Sequence, residues 1–161
     1  MKMKLVALAL AATGSFIAVP ALAASTTHTI AVSATVSGNC KFNTAGPTAL
    51  TIATGAGVID PSAAGPATGS VGVTFRCTTG TTSAITADDG LNASGPGARR
   101  VKQGANFMPY TFTLTNAAQV GSGFGAGNDK TVTVDASIVA ANYQNAPAGA
   151  YTDTVTLTIA P

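Results

Sequence analysis

The chain has 161 residues, a formal net charge of +2 and only 9% charged residues, with two cysteines, one histidine and no tryptophan. A nucleic-acid footprint needs a concentrated basic face, which this charge balance does not support, so no nucleic-acid partner is expected. Thr, Ala, Gly, Ser and Val dominate, the composition of an extracellular β protein built from short strands and small-residue turns.

Lys2 and Lys4 open the chain, an apolar run covers residues 5–12, and Ala21-Leu22-Ala23 closes the segment with an Ala-x-Ala pattern. This is the form of a secretory signal peptide cut after Ala23, giving a signal at 1–23. Gly14, Pro20 and the small-residue site favour removal over a retained anchor. No later run approaches membrane length, so no membrane anchor is expected after cleavage. Removal leaves about 138 residues, room for one domain with a modest core. Loss of Lys2 and Lys4 also brings the net charge from +2 to about zero.

Residues 29–36 read Thr-Ile-Ala-Val-Ser-Ala-Thr-Val, and Ile30, Val32, Ala34 and Val36 therefore share one face of an extended strand. Such a strand near a free end, where chains usually fray, needs a partner. Alternation says strand and not whose strand: the segment either folds back as the first strand of its own sandwich or is given to another chain.

Cys40 resumes an extended segment, with a second short piece at 48–53 carrying Leu50 and Ile52. Residues 55–69, rich in Gly, Ala, Pro and Ser, read as a surface loop. Residues 69–77 are a clear strand with Val71, Val73, Phe75 and Cys77 on one face. A weak strand follows at 83–87, and Asp88-Asp89-Gly90 has the form of a hairpin turn. Residues 92–103 read as loop, 107–114 as one strand entered at Pro109, and 116–130 as loop. Strands at 130–138 and 151–159 complete the chain.

The six strand-like units 40–53, 69–77, 83–87, 107–114, 130–138 and 151–159 fall short of the seven or so of an immunoglobulin-type sandwich. A sandwich one strand short has an unpaired edge and an open core, and the spare strand at 29–36 has the pattern to fill one. Cys40 and Cys77 are the only pair in an exported chain, and a disulfide is the expectation. Their separation and the placement of His28 in the terminal arm disfavour a metal or redox role.

Val32-Ser33-Ala34-Thr35-Val36 ahead of Cys40, the Phe75-Arg76-Cys77-Thr78-Thr79-Gly80 segment, and the ending from Ala148-Gly149-Ala150-Tyr151-Thr152-Asp153-Thr154-Val155 to Thr158 resemble the spore coat protein U-like domain family. Residues 104–114 and Phe124-Gly125-Ala126-Gly127 are further echoes, with Phe124 where the family often has Trp. The resemblance covers nearly all of the chain beyond the signal. It implies an all-β, incomplete immunoglobulin-like β-sandwich at 38–161 with an N-terminal donor-strand arm at 24–37, and a disulfide between Cys40 and Cys77. It implies a structural subunit of a secreted archaic chaperone/usher pilus that polymerises by donor-strand exchange, with Ile30, Val32, Ala34 and Val36 as pocket fillers. The implied partners are homologous pilus subunits in a homopolymer or mixed fibre, a periplasmic chaperone and an outer-membrane usher. The chain would pass through the periplasm to a cell-surface fimbrium serving adhesion or biofilm formation.

No enzyme and no cofactor are expected. A Ser/His/Asp triad would have to use His28 in the arm, and paired-carboxylate chemistry would have to use the adjacent Asp88 and Asp89. Residues 121–127 lack the Lys-Ser/Thr of a phosphate loop. A single copy of a calcium-like pattern at 125–129 is weak, and Arg99, Arg100 and Lys102 read as a solvated loop more readily than as an anion or sugar site. The rival classes are a self-complemented monomeric binding module and a coat structural protein.

Overall fold

The computed structural model describes residues 25–44 and 46–161; the signal peptide read at 1–23 lies outside them. Residues 25–39 form no strand and are exposed throughout. The chain divides after Ala34 into two units, and the second, from Thr35 onward, carries every regular element.

The elements are β1 (Cys40–Phe42), β2 (Ala67–Cys77), β3 (Ala84–Ala87), β4 (Arg100–Gln103), β5 (Asn106–Pro109), β6 (Thr111–Thr115), β7 (Lys130–Ile138), the short helix α1 (Ala140–Tyr143) and β8 (Leu157–Ala160). One antiparallel sheet has the order β1-β2-β7-β6. Its centre is the β2–β7 pair, in register from Ala67 opposite Ile138 to Phe75 opposite Lys130. Alternate residues of these strands, Val73, Phe75 and Cys77 with Val132, Val134 and Ala136, are buried because one face of the sheet packs inward.

The opposing layer holds β3 paired with β8 and β4 paired with β5, and a bridge between Lys102 and Thr152 connects them. Ile85 of β3, with Leu157 and Ile159 of β8, packs against Val73, Phe75 and Val132 of the first sheet. The order β1-β2-β7-β6 is that of strands A, B, E and D in an immunoglobulin-type sandwich, and β3 and β8 stand where C and F stand. Among the described residues no strand takes the place of G beside β8.

Cys40 and Cys77 face each other across the β1–β2 ladder and are disulfide-bonded. The bond pins the start of the domain to its central strand. Closing a loop of this length stabilises the fold by about 3 to 4 kcal/mol in the chain-entropy model.

Five local readings are corrected. The strand read at 151–159 is regular only as β8 from Leu157, with Thr152 making an isolated bridge to Lys102 before it. Residues 92–103 are not all loop: β4 occupies their end and forms a hairpin with β5 through Gly104, whose φ of 58° suits glycine. The single strand read at 107–114 is two, β5 and β6, broken at Tyr110 where the chain passes from one layer to the other. Asp88-Asp89-Gly90 makes no hairpin. The Asp88 carboxylate accepts the Gly90 amide at 3.0 Å and the Thr156 amide at 2.9 Å, so the chain runs on beside the last strand. Residues 48–52 form no strand, since only Ala53 bridges to β2, at Thr68.

Candidate functional site

The open place beside β8 is a groove of about 1110 Å³ within the second unit, larger than the ~300–1,000 Å³ of a small-ligand pocket. Its floor is the inner face of the first sheet, with Val71 and Val73 from β2 and Val134 and Ala136 from β7. Leu50 and Ile52 stand on one lip, Val155 and Leu157 on the other.

Both lips carry free backbone. Thr152 exchanges two backbone hydrogen bonds with Lys102, at 3.0 and 2.9 Å, and the carbonyls of Thr154 and Thr156 accept from Leu91 and Asp88. Even-numbered residues of this stretch thus point their backbone polar groups at β4 and at the segment that follows β3, and odd-numbered ones point away. Among the described residues, the backbone groups of Asp153 and Val155 make no backbone hydrogen bond, and neither do those of residues 48–52 on the facing lip. Buried backbone groups are almost always paired, so two facing edges of unpaired groups over an apolar floor can accept an extended segment.

The buried core is split along this line. One cluster, around Val73, Phe75, Val132 and Ile85, includes the disulfide. The other gathers Ala67, Met108, Ile138 and Tyr143 at the far end. Residues of both clusters line the groove, so an apolar strand laid in it would join them into one core.

Polar contacts hold the lips. Tyr110, at the β5–β6 break, donates its hydroxyl to Asp153 at 2.8 Å, and the other Asp153 oxygen accepts the Asn92 amide at 3.1 Å and its side-chain Nδ2 at 3.0 Å. Burial and that carboxylate push the Tyr110 hydroxyl well above its ordinary pKa. On the facing side Gly69 lets residue 51 lie directly on β2, because a Cβ there would collide with the Thr51 carbonyl. The Tyr143 hydroxyl donates to the carbonyls of Ala63 and Gly65, which fixes the Gly- and Ala-rich loop at the groove's end.

Ile30, Val32 and Val36 are 76%, 90% and 83% exposed, and Ala34 is exposed as well. The domain-side end of the arm is fixed: the Asn39 amide donates to Thr78 Oγ1 at 3.1 Å, and the Thr78 amide donates to the Asn39 carbonyl at 2.9 Å.

The other candidate residues have structural partners. Asp89 accepts the Gly97 amide at 2.9 Å and lies 3.6 Å from Arg99, and the Thr156 and Gly90 amides on Asp88 hold its carboxyl below the usual range. Asp129, at the end of the calcium-like stretch, pairs with Arg76 at 2.6 Å, and that guanidinium keeps its carboxyl ionised to lower pH. His28 is exposed in the arm. Arg99 is drawn inward, bonded to the Asp88 carbonyl and seated 4.9 Å above the Phe112 ring. Among the described residues no helix is long and apolar enough to cross a membrane.

Sequence patterning placed Leu50, Ile52, Val155 and Leu157 on single faces, but it held no sign that these faces would line one groove. Val101, Met108 and Tyr143 were missed, the first two because their hairpin was only partly recognised. Tyr110 opposite Asp153 leaves no local signal, since 43 residues separate them.

The Spore Coat Protein U domain model matches residues 26–158. Among solved structures, the chain is similar to a crystal structure of the CsuC–CsuE chaperone–tip adhesion subunit pre-assembly complex from archaic chaperone-usher Csu pili of Acinetobacter baumannii. The two share 20% identity at a TM-score of 0.46, over 78% of this chain and 40% of that one. This chain thus spans about two fifths of the length of that structure. No curated protein matches it.

Proposed function

Because this chain belongs to the Spore Coat Protein U domain family, we propose that it is a structural subunit of a secreted chaperone/usher pilus, completed by a strand donated in trans. The observation that carries this reading is the groove flanked by two unpaired backbone edges, with a separate core cluster at each end. Added backbone hydrogen bonds would supply affinity, and pockets for alternate side chains would supply register.

The donor is the arm at 24–37 of a neighbouring subunit, with Ile30, Val32, Ala34 and Val36 seated on the groove floor. Their exposure leaves the apolar face of the arm uncovered, as a donor strand requires. Burying Ile30, Val32 and Val36 gains about 1.5 to 3 kcal/mol each. Ordering the arm costs about 1 to 2 kcal/mol per residue, so attachment depends on the full ladder and every pocket together. A periplasmic chaperone holds the groove until exchange at an outer-membrane usher. Head-to-tail pairing of this kind is heterologous and grows an open filament, a homopolymer or mixed fibre at the cell surface, serving adhesion or biofilm formation. No catalytic step is assigned to the chain.

The test is periplasmic expression with and without residues 24–37, each with and without a cognate chaperone, read by size exclusion and unheated gels. Detergent-resistant ladders from the full chain, with the truncated chain recovered only alongside chaperone, are expected. A full chain that is a stable monomer without chaperone overturns the reading in favour of self-complementation.

A further inference from the structure

We propose that the outer face of the β4–β5 hairpin is a binding site for an acidic polysaccharide, gripped through its carboxylates by Arg100 and Lys102. In the hairpin register Lys102 lies opposite Phe107 and Val101 opposite Met108. Strand alternation sends Val101 and Met108 to the groove and core, and leaves Arg100, Lys102 and Phe107 together on the outside.

The Arg100 guanidinium is held in place on this face. Its Nε donates to the Asn92 carbonyl at 2.9 Å, and its Cζ lies 4.2 Å from the centroid of the Phe107 ring. Both terminal nitrogens remain free of hydrogen bonds to the described residues. Such a fork, fixed at one nitrogen and seated over an aromatic ring, has already given up freedom that carboxylate binding would otherwise cost.

Lys102 reaches over the same ring, with its ammonium 5.5 Å from the centroid. Its Cα follows that of Arg100 by two strand residues, roughly 6.7 Å. The ion pairs among the described residues, Arg76 with Asp129 and Arg99 with Asp89, involve neither cation. Phe107 is 40% exposed, which leaves apolar surface for the C–H face of a sugar ring.

Two cations in a row suit successive acidic groups of an extended polymer. They fall short of the roughly four to eight basic residues by which a protein recognises an anionic lipid surface. A partly exposed aromatic ring beside them likewise favours a ring-shaped, partly apolar ligand over a bare ion.

The test measures binding of the purified full chain to immobilised polygalacturonate, to neutral dextran and to phosphatidylglycerol vesicles, at low and high salt. Variants are Lys102→Gln, Arg100→Lys, which keeps the charge and loses the fork, their combination, and Lys41→Gln as a charge-matched control at the exposed position of β1. Thermal melts and an intact disulfide establish that each variant is folded. Expected are binding to polygalacturonate alone, loss at high salt, and weakening of about tenfold or more in the double variant with little change in Lys41→Gln. Equal weakening by Lys41→Gln, binding to vesicles without polygalacturonate, or no binding to polygalacturonate at low salt would each overturn the proposal.

Discussion

The Tyr110 hydroxyl donates a 2.8 Å hydrogen bond to the Asp153 carboxylate, tying the point where the chain changes layers to the segment that leads into β8. Tyr110→Phe removes this tie and leaves Asp153 held by Asn92 at its other oxygen only, so the expected cost is about 1 to 2 kcal/mol. A thermal or urea melt measures it. The raised hydroxyl pKa adds a pH signature. The folded state holds the proton where the unfolded tyrosine loses it, so this contribution is complete below about pH 10 and declines as pH rises beyond it. The wild type should therefore lose more stability than Tyr110→Phe in that alkaline range.

At the acid end the sign reverses. Asp88 is held low by the Thr156 and Gly90 amides, and Asp129 by Arg76. Both contributions are present above the ordinary carboxylate pKa and vanish as pH falls through the lowered values. The melting temperature should fall below about pH 4. Asp129→Asn should be less stable than the wild type at neutral pH and should flatten this acid decline. A series of melts across the acid range reads both effects.

Gly69→Ala should act on the groove lip. The new methyl meets the Thr51 carbonyl and approaches Leu50 Cδ2 at 3.2 Å, so residues 50–52 must move off β2. Overpacking of this kind costs about 1 to 3 kcal/mol. Amide hydrogen exchange should show faster exchange at Ala53 and Thr68, which bond each other's backbones at 3.0 and 2.9 Å. Unchanged protection there would contradict the close approach.

Val32→Asp tests the arm without touching the domain, since Val32 is 90% exposed. Folding of the domain should be unaffected. An ionised carboxylate cannot enter an apolar pocket without a cost of several kcal/mol, so detergent-resistant ladders should disappear. Ladders of normal length from Val32→Asp would count against the arm as donor.

Reduction of the disulfide, or Cys77→Ser, frees the start of β1 from the centre of the first sheet. A loss of about 3 to 4 kcal/mol is expected, seen as a lower urea midpoint under reducing conditions.

The strands legible in the sequence were those with one buried face and one wet face. Val71, Val73, Phe75 and Cys77 alternate with polar or small residues, as do Val132, Val134, Ala136 and Ile138, and these became β2 and β7 almost to the residue. The β4 strand was hidden because Arg100 and Lys102, read as solvated charges, alternate with only one apolar residue, Val101. The chain's turn from β5 to β6 was hidden because Phe107, Met108, Tyr110, Phe112 and Leu114 look like one continuous run. Only the packing of Met108 and Phe112 into different core clusters separates them.

Composition, periodicity and the single cysteine pair determined by themselves that this is an all-β chain, with Cys40 bonded to Cys77 and an apolar alternation at Ile30, Val32, Ala34 and Val36. These are properties of short stretches, and side-chain alternation writes them directly into the sequence. The tertiary structure alone decided that residues 48–52 and 151–157 face each other across an open floor, that Tyr110 reaches Asp153, and that Arg100 and Lys102 share Phe107. Each of these relations joins residues brought together by strand pairing across layers, and pairing is a choice of partner and register that no single stretch of sequence contains.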